Sequence, residues 1–390
     1  MKNKKICARV LATAMMIGVF GTGCNKNKET SATGTSDTNI SISIDPNVTS
    51  PTNASGSDAG DSGTAATTLL KMTYEDNYDA AAIKEMGKKV TIHGMEIPPL
   101  EYNFYYANEY AQMLSDTMYG KQYPMTAAGF LDLDGKLTSI ENGATVEKTV
   151  REYLNETVLR DLQGEVFLSE YATKKGLTLS EEVKQSIEKQ ITDAEASSAK
   201  YDMTLEEYMQ SYYGPSASIE GIRSVLQRYE MINLALKDYV QNCTLTDEEK
   251  MIPQVYHVLY LTMDLTTGAA LTDEQKAEAK AKAEALKGQI TSLEDIKTKG
   301  EAAVTATEAA EAHEYRVQRG MMVQPFEDWC FAPHKDGDID IVETQYGYHV
   351  MFFEGMVEVN DDEKSSIAGS KMQDEMDAAI ATGDYDPVYS

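Results

Sequence analysis

Cysteine is scarce, basic charge is in deficit, and beyond the first two dozen residues no long apolar run occurs. Of four cysteines in 390 residues, Cys7 and Cys24 lie at the N-terminal end, leaving Cys243 and Cys330 for a folded region. None stands in a C-x-x-C pair or a Cys/His cluster, which argues against a zinc site or a dithiol redox motif. No metal or cofactor is implied. Spacing does not decide whether Cys243 and Cys330 are free or bridged. The 35 basic side chains face 63 acidic ones, a formal net charge of −28. Such a surface repels polyanions, so nucleic acid and anionic lipid are excluded as partners of the bulk surface. Its plainest consequence is solubility. No segment after residue 23 is apolar enough to span a bilayer.

What is present begins with a leader. Lys2, Lys4, Lys5 and Arg9 precede an apolar run over 10–20 that is too short for a permanent span. Gly21-Thr22-Gly23-Cys24 follows. This order resembles the bacterial lipoprotein signal, with Gly21 where leucine is usual. The resemblance implies a signal peptide over 1–23, lipidation of Cys24 and attachment to the outer face of the cell membrane. Two acyl chains suffice for stable attachment, at about 0.8 kcal/mol per buried CH₂. Residues 24–67, rich in Ser, Thr, Gly, Asp and Asn, read as a disordered tether.

Residues 68–248 read as mostly helical. A short hairpin is expected over 90–97, turning at His93-Gly94, and Pro98-Pro99 breaks it. A helix with Tyr102, Phe104, Tyr105, Tyr106 and Tyr110 follows; tyrosine outnumbers phenylalanine 23 to 8 in the chain. Asp132-Leu-Asp-Gly135 lacks the remaining ligands of a calcium loop and reads as a turn. From Thr145 to Cys243 the pattern is helical. Val146, Val150, Leu154, Val158, Leu162 and Val166 form an apolar face, Gly176 ends a helix, and Thr204-x-x-Glu207 is a capping box. The order hairpin, then aromatic helix, resembles the N-terminal chaperone region of secreted foldases of the PrsA and SurA type.

The strongest signal lies over 320–354. A glycine and two methionines precede a short amphipathic helix with Phe326 and Phe331. A Lys-Asp-Gly-Asp turn, an alternating strand over 338–342, a Tyr346-Gly347 turn and a second strand come next. Gly320, Met322, Phe326, Glu327, Phe331, Gly337, Thr344, Gly347 and His349 fall at the spacing of the parvulin-type peptidyl-prolyl isomerase domain, which this stretch resembles. Residues 254–261 resemble that family's first strand, with His257 as its histidine. Thr272-x-x-Gln275 and Ser292 open the two helices the family places next.

The resemblance implies an α+β protein: a helical SurA/PrsA-like chaperone lobe over 68–248, a small parvulin-like domain with a mostly antiparallel sheet over 249–357, and a C-terminal helix and tail over 358–390. Strands are expected at 254–261, 314–318, 339–343 and 348–354, and the end from 383 is expected to fray. The site residues it implies are His257, Met322, Phe326, Thr344 and His349, with Met322 and Phe326 as the proline pocket and the histidines as its floor. Two positions depart from the family. Its cysteine or aspartate falls at Thr305, and its apolar strand residue falls at Glu314, or at Tyr315 with a one-residue shift. The implied function is a membrane-anchored extracytoplasmic foldase acting on X-Pro bonds of unfolded secreted proteins. An inactive parvulin-fold holdase and a transporter's substrate-binding lipoprotein are the alternatives, and a homodimer through the helical lobe stays open.

Overall fold

The computed structural model describes residues 71–390 except 72, 119–120, 142–143 and 266–268. The leader, Cys24 and the tether lie outside the described residues. The described chain forms two units: Val240–Lys371, and the residues up to Tyr239 together with Met372–Ser390.

The second of these is mostly helical. Short helices α1 (Tyr74–Asn77) and α2 (Ala80–Glu85) lead into the hairpin β1 (Val90–Ile92) and β2 (Met95–Ile97), then α3 (Pro99–Met118). The expected turn is there, with His93 and Gly94 both in the left-handed region. Along α3 the rings of Tyr102, Tyr106 and Tyr110 recur every four residues, are almost wholly buried and stack at 6.5 and 6.3 Å. Tyr102 donates to Asn155 and Tyr110 accepts from the Leu131 amide, so these hydroxyls enter the core with partners.

The helical pattern expected from Thr145 begins later. A hairpin, β3 (Lys136–Glu141) and β4 (Ala144–Thr149), precedes α4 (Val150–Lys175). Thr149 and Glu152 form a reciprocal capping box that fixes the helix start. Val146 therefore lies on a strand, while Val150, Leu154, Val158, Leu162 and Val166 are fully buried along α4. Gly176 closes α4 in the left-handed conformation. Helices α5 (Glu181–Ser198), α6 (Leu205–Tyr213) and α7 (Ile219–Asn242) follow, and Thr204 with Glu207 caps α6. The C-terminal end is held rather than frayed. Gln163 donates to the Tyr385 carbonyl, the Tyr385 hydroxyl donates to Glu170, and β9 (Val388–Tyr389) pairs with β1.

Val240–Lys371 holds a four-stranded antiparallel sheet in the order Glu311–Arg316, Met251–Leu261, Gly347–Glu358, Ile339–Glu343. Its elements run β5 (Met251–Leu261), α8 (Asp273–Lys287), α9 (Leu293–Thr305), β6 (Glu311–Arg316), α10 (Gln324–Cys330), β7 (Ile339–Glu343) and β8 (Gly347–Glu358). Helix α11 (Asp361–Ala381) follows. Alternation divides the sheet. Tyr256, Val258, Tyr260, Val350 and Phe352 pack with Ala283, Leu286 and Ile296 of α8 and α9. Val255, Met351 and Phe353 pack with Phe326 and Cys330 of α10. The α+β expectation holds. Every strand pair among the described residues is antiparallel, unlike the two lobes of parallel strand–helix units a substrate-binding lipoprotein requires.

Candidate functional site

The site forms on the α10 face of the sheet, and register assembles it. His257 stands opposite Met351 and His349 opposite Leu259, so the histidines are diagonal neighbours on β5 and β8. Their rings stack at 5.2 Å with the two Nδ1 atoms 3.1 Å apart. Thr344, at the turn into β8, places Oγ1 2.9 Å from His349 Nε2 and accepts from the Tyr346 amide at 3.2 Å. Thr344, His257 and His349 are all buried. Burial, then the neighbouring His257, pushes the His349 pKa down to about 3, so its ring is neutral near pH 7.

Phe326 of α10 stands edge-on over both imidazoles, 5.4 Å from His257 and 5.3 Å from His349. Met322 packs partly buried against the same cluster. The local motif explains how. Gly320 turns through the left-handed region, and its amide donates to Glu327, one residue past Phe326. The glycine and the glutamate thus tie the methionine turn to the helix carrying the phenylalanine. Below them Cys330 is buried, and burial pushes its thiol up to about 12, so it is packing rather than a nucleophile. All five residues expected at the site converge on one face.

The two departures resolve differently. Thr305 is exposed at the end of α9 and gives its hydroxyl to the Glu301 carbonyl. Glu314 stands opposite Tyr256 on the sheet's other face and pairs with Lys297 at 2.8 Å. Tyr315, opposite Val255, faces the site instead, its ring 5.1 Å from His257 and 6.3 Å from Phe326. Sequence reasoning missed Glu311. It stands opposite Leu259, also on the site face, with Oε1 3.6 Å from His257 Nε2 and 2.6 Å from the Tyr315 hydroxyl. The facing His257, against burial, and then Tyr315 hold the Glu311 carboxyl down to about 2. Alternation puts Glu311, His313 and Tyr315 on one face of β6, and pairing to β5, which no local pattern displays, turns that face to the site.

The arrangement sets apolar and aromatic side chains over a buried row of hydrogen-bonded polar groups. It contains no activated nucleophile and, among the described residues, no cluster suited to a metal ion. Met322 and Tyr315, partly buried, are the apolar side chains a small ring could meet here, with Phe326 buried behind them.

Residues 245–354 match the family model of the PPIC-type PPIase domain. Among solved structures, the chain is similar to the peptidylprolyl isomerase PrsA of Bacillus anthracis, at 17% identity over 54% of this chain and 87% of that one, with a TM-score of 0.25. It is similar also to PrsA of Bacillus cereus, at 14% identity over 63% and 86%, TM-score 0.26. The foldase protein PrsA of Streptococcus pneumoniae aligns at 14% identity over 63% and 93%, TM-score 0.24. No curated protein matches the chain.

Proposed function

We propose, from the premise that residues 245–354 are a parvulin-type peptidyl-prolyl isomerase domain, that the whole chain is an extracytoplasmic foldase anchored through Cys24. It isomerises X-Pro bonds in unfolded secreted chains, and the helical unit holds those chains. The observation that carries the reading is the convergence of Met322, Phe326 and Tyr315 above the Thr344–His349–His257 row.

Rotation about a prolyl amide is slow because resonance must be broken, a barrier of about 18–20 kcal/mol. The twisted amide is less charge-separated than the planar one, so an apolar cradle favours it over the ground state. A thousandfold acceleration requires only about 4 kcal/mol of such differential stabilisation. The partly buried Met322 and Tyr315 would grip the proline ring, backed by the buried Phe326, and the buried histidine row would fix the floor. The loop after β5 carries no Lys or Arg over 262–272, so a phosphorylated residue before proline has no partner there.

A holdase without catalysis is the second reading, favoured by Thr305 in place of a cysteine or aspartate. Refolding of a secreted protein limited by a prolyl step separates the two. The full chain should speed the slow phase, and Met322→Ala, at a partly buried position, should abolish that acceleration while leaving suppression of aggregation intact. Suppression alone, from wild type and variant equally, would favour the holdase. For the anchor, Cys24→Ala should eliminate incorporation of labelled fatty acid and release the chain from membranes; unchanged incorporation would sink that part of the proposal.

A further inference from the structure

Glu311 belongs to no motif of the sequence, yet it ends a row of polar groups whose protons, with one proton on each imidazole, can be ordered in two ways. In the first, the Thr344 hydroxyl donates to His349 Nε2 at 2.9 Å. His349 then carries its proton on Nδ1 and donates to His257 Nδ1 at 3.1 Å. His257 carries its proton on Nε2, facing the Glu311 carboxylate at 3.6 Å. In the second, every proton is reversed. Thr344 donates instead to the Gly347 carbonyl at a poor 3.5 Å, and His257 turns an Nε2 lone pair toward a carboxylate oxygen.

The residues decide between them. A carboxylate only accepts, so a lone pair facing it is repelled and an N–H is attracted. His257 is 2% exposed, and its Nε2 has no other partner within hydrogen-bond distance among the described residues. At 3.6 Å the contact is charge against dipole rather than a formed hydrogen bond, and in a buried setting that is enough to choose an orientation. The Tyr315 hydroxyl, 2.6 Å away, also donates to Glu311 and aims the carboxylate.

We infer that Glu311 is a positioning residue of the isomerase site: its carboxylate fixes His257 as the Nε2–H tautomer and, through it, His349 as the Nδ1–H tautomer. It holds the Tyr315 wall by the same oxygen. The rate arm of the test rests on the isomerase reading; the tautomer arm does not.

The chain has five histidines, few enough for two-bond proton–nitrogen spectra of the full chain labelled with ¹⁵N-histidine. Wild type should show pyrrole-type Nε2 for His257 and pyrrole-type Nδ1 for His349. Glu311→Gln and Glu311→Ala should average or reverse both patterns, with the His93 and His334 signals unchanged as the check of folding. In the same variants kcat/KM on an X-Pro peptide should fall roughly tenfold, the order of one charge-assisted contact. The opposite tautomers in wild type, or tautomers indifferent to both substitutions, would overturn the inference whatever the rates do. Tautomers that respond in a wild type without isomerase activity would uphold Glu311 and sink the functional reading instead.

Discussion

At the histidine pair, burial works against charge, and the consequence is measurable. An ordinary histidine protonates near 6.5, whereas folded His349 does so near 3. Between those values the unfolded chain binds a proton that the folded one refuses. The contribution is therefore present above pH 6.5 and lost as pH falls toward 3. The only tryptophan, Trp329, sits in this unit beside His334, so its fluorescence reports unfolding of the isomerase unit alone. We expect unfolding stability to decline between pH 6.5 and 3, and the slope to flatten in His349→Gln. An unchanged slope would mean that His349 ionises freely. Phe326, 2% exposed, has a different role: Phe326→Ala leaves a cavity and should cost about 3–5 kcal/mol. Met322 is less buried, so Met322→Ala is the better variant for separating activity from stability.

At the scale of elements, what the sequence displays is periodicity and punctuation. The buried stripe of α4, the Thr204 box, the Gly176 stop and the His93-Gly94 turn are each local patterns, and each is found where its residues place it. The spacing of Gly320, Met322, Phe326 and Glu327 is local as well, which is why the cradle was legible. Register is not local. A shift of one residue exchanges the faces of a strand, and no feature within 311–316 says which face meets His257. Pairing to β5 decides it, sending Glu314 away and turning Glu311 and Tyr315 inward. The start of α4 at Val150 rather than Thr145 has a local cause, the Thr149–Glu152 box. Gly347 tests the register directly. A Cβ there would lie 2.0 Å from the Tyr260 carbonyl oxygen, so Gly347→Ala must push β8 off β5. The expected result is a fall of several degrees or more in the Trp329-detected melting temperature, with loss of isomerase activity. A variant as stable and active as wild type would contradict the pairing.

For the molecule as a whole, acidity enters the core as well as the surface. In the helical unit Arg228 lies 3.2 Å from Glu101 and 3.5 Å from Glu165, both carboxyl groups only 2% exposed. One guanidinium cannot neutralise two buried carboxylates. Burial and the Glu101 charge raise Glu165 well above the ordinary range despite Arg228. A raised folded value means the folded state binds the extra proton. That stability is fully present below about pH 4.5 and is lost as pH rises toward the folded value. Glu165→Gln should keep the helical unit folded and weaken the decline of its stability as pH rises above about 4.5, followed by tyrosine circular dichroism; an equal or steeper decline would contradict the raised Glu165. The central claim concerns the other unit, and one measurement addresses it most directly: isomerisation of an unphosphorylated X-Pro peptide by the full chain and by Met322→Ala. The account predicts acceleration by wild type and at least a tenfold loss in a folded Met322→Ala. No acceleration by a folded wild-type chain, or equal acceleration by the variant, would contradict it.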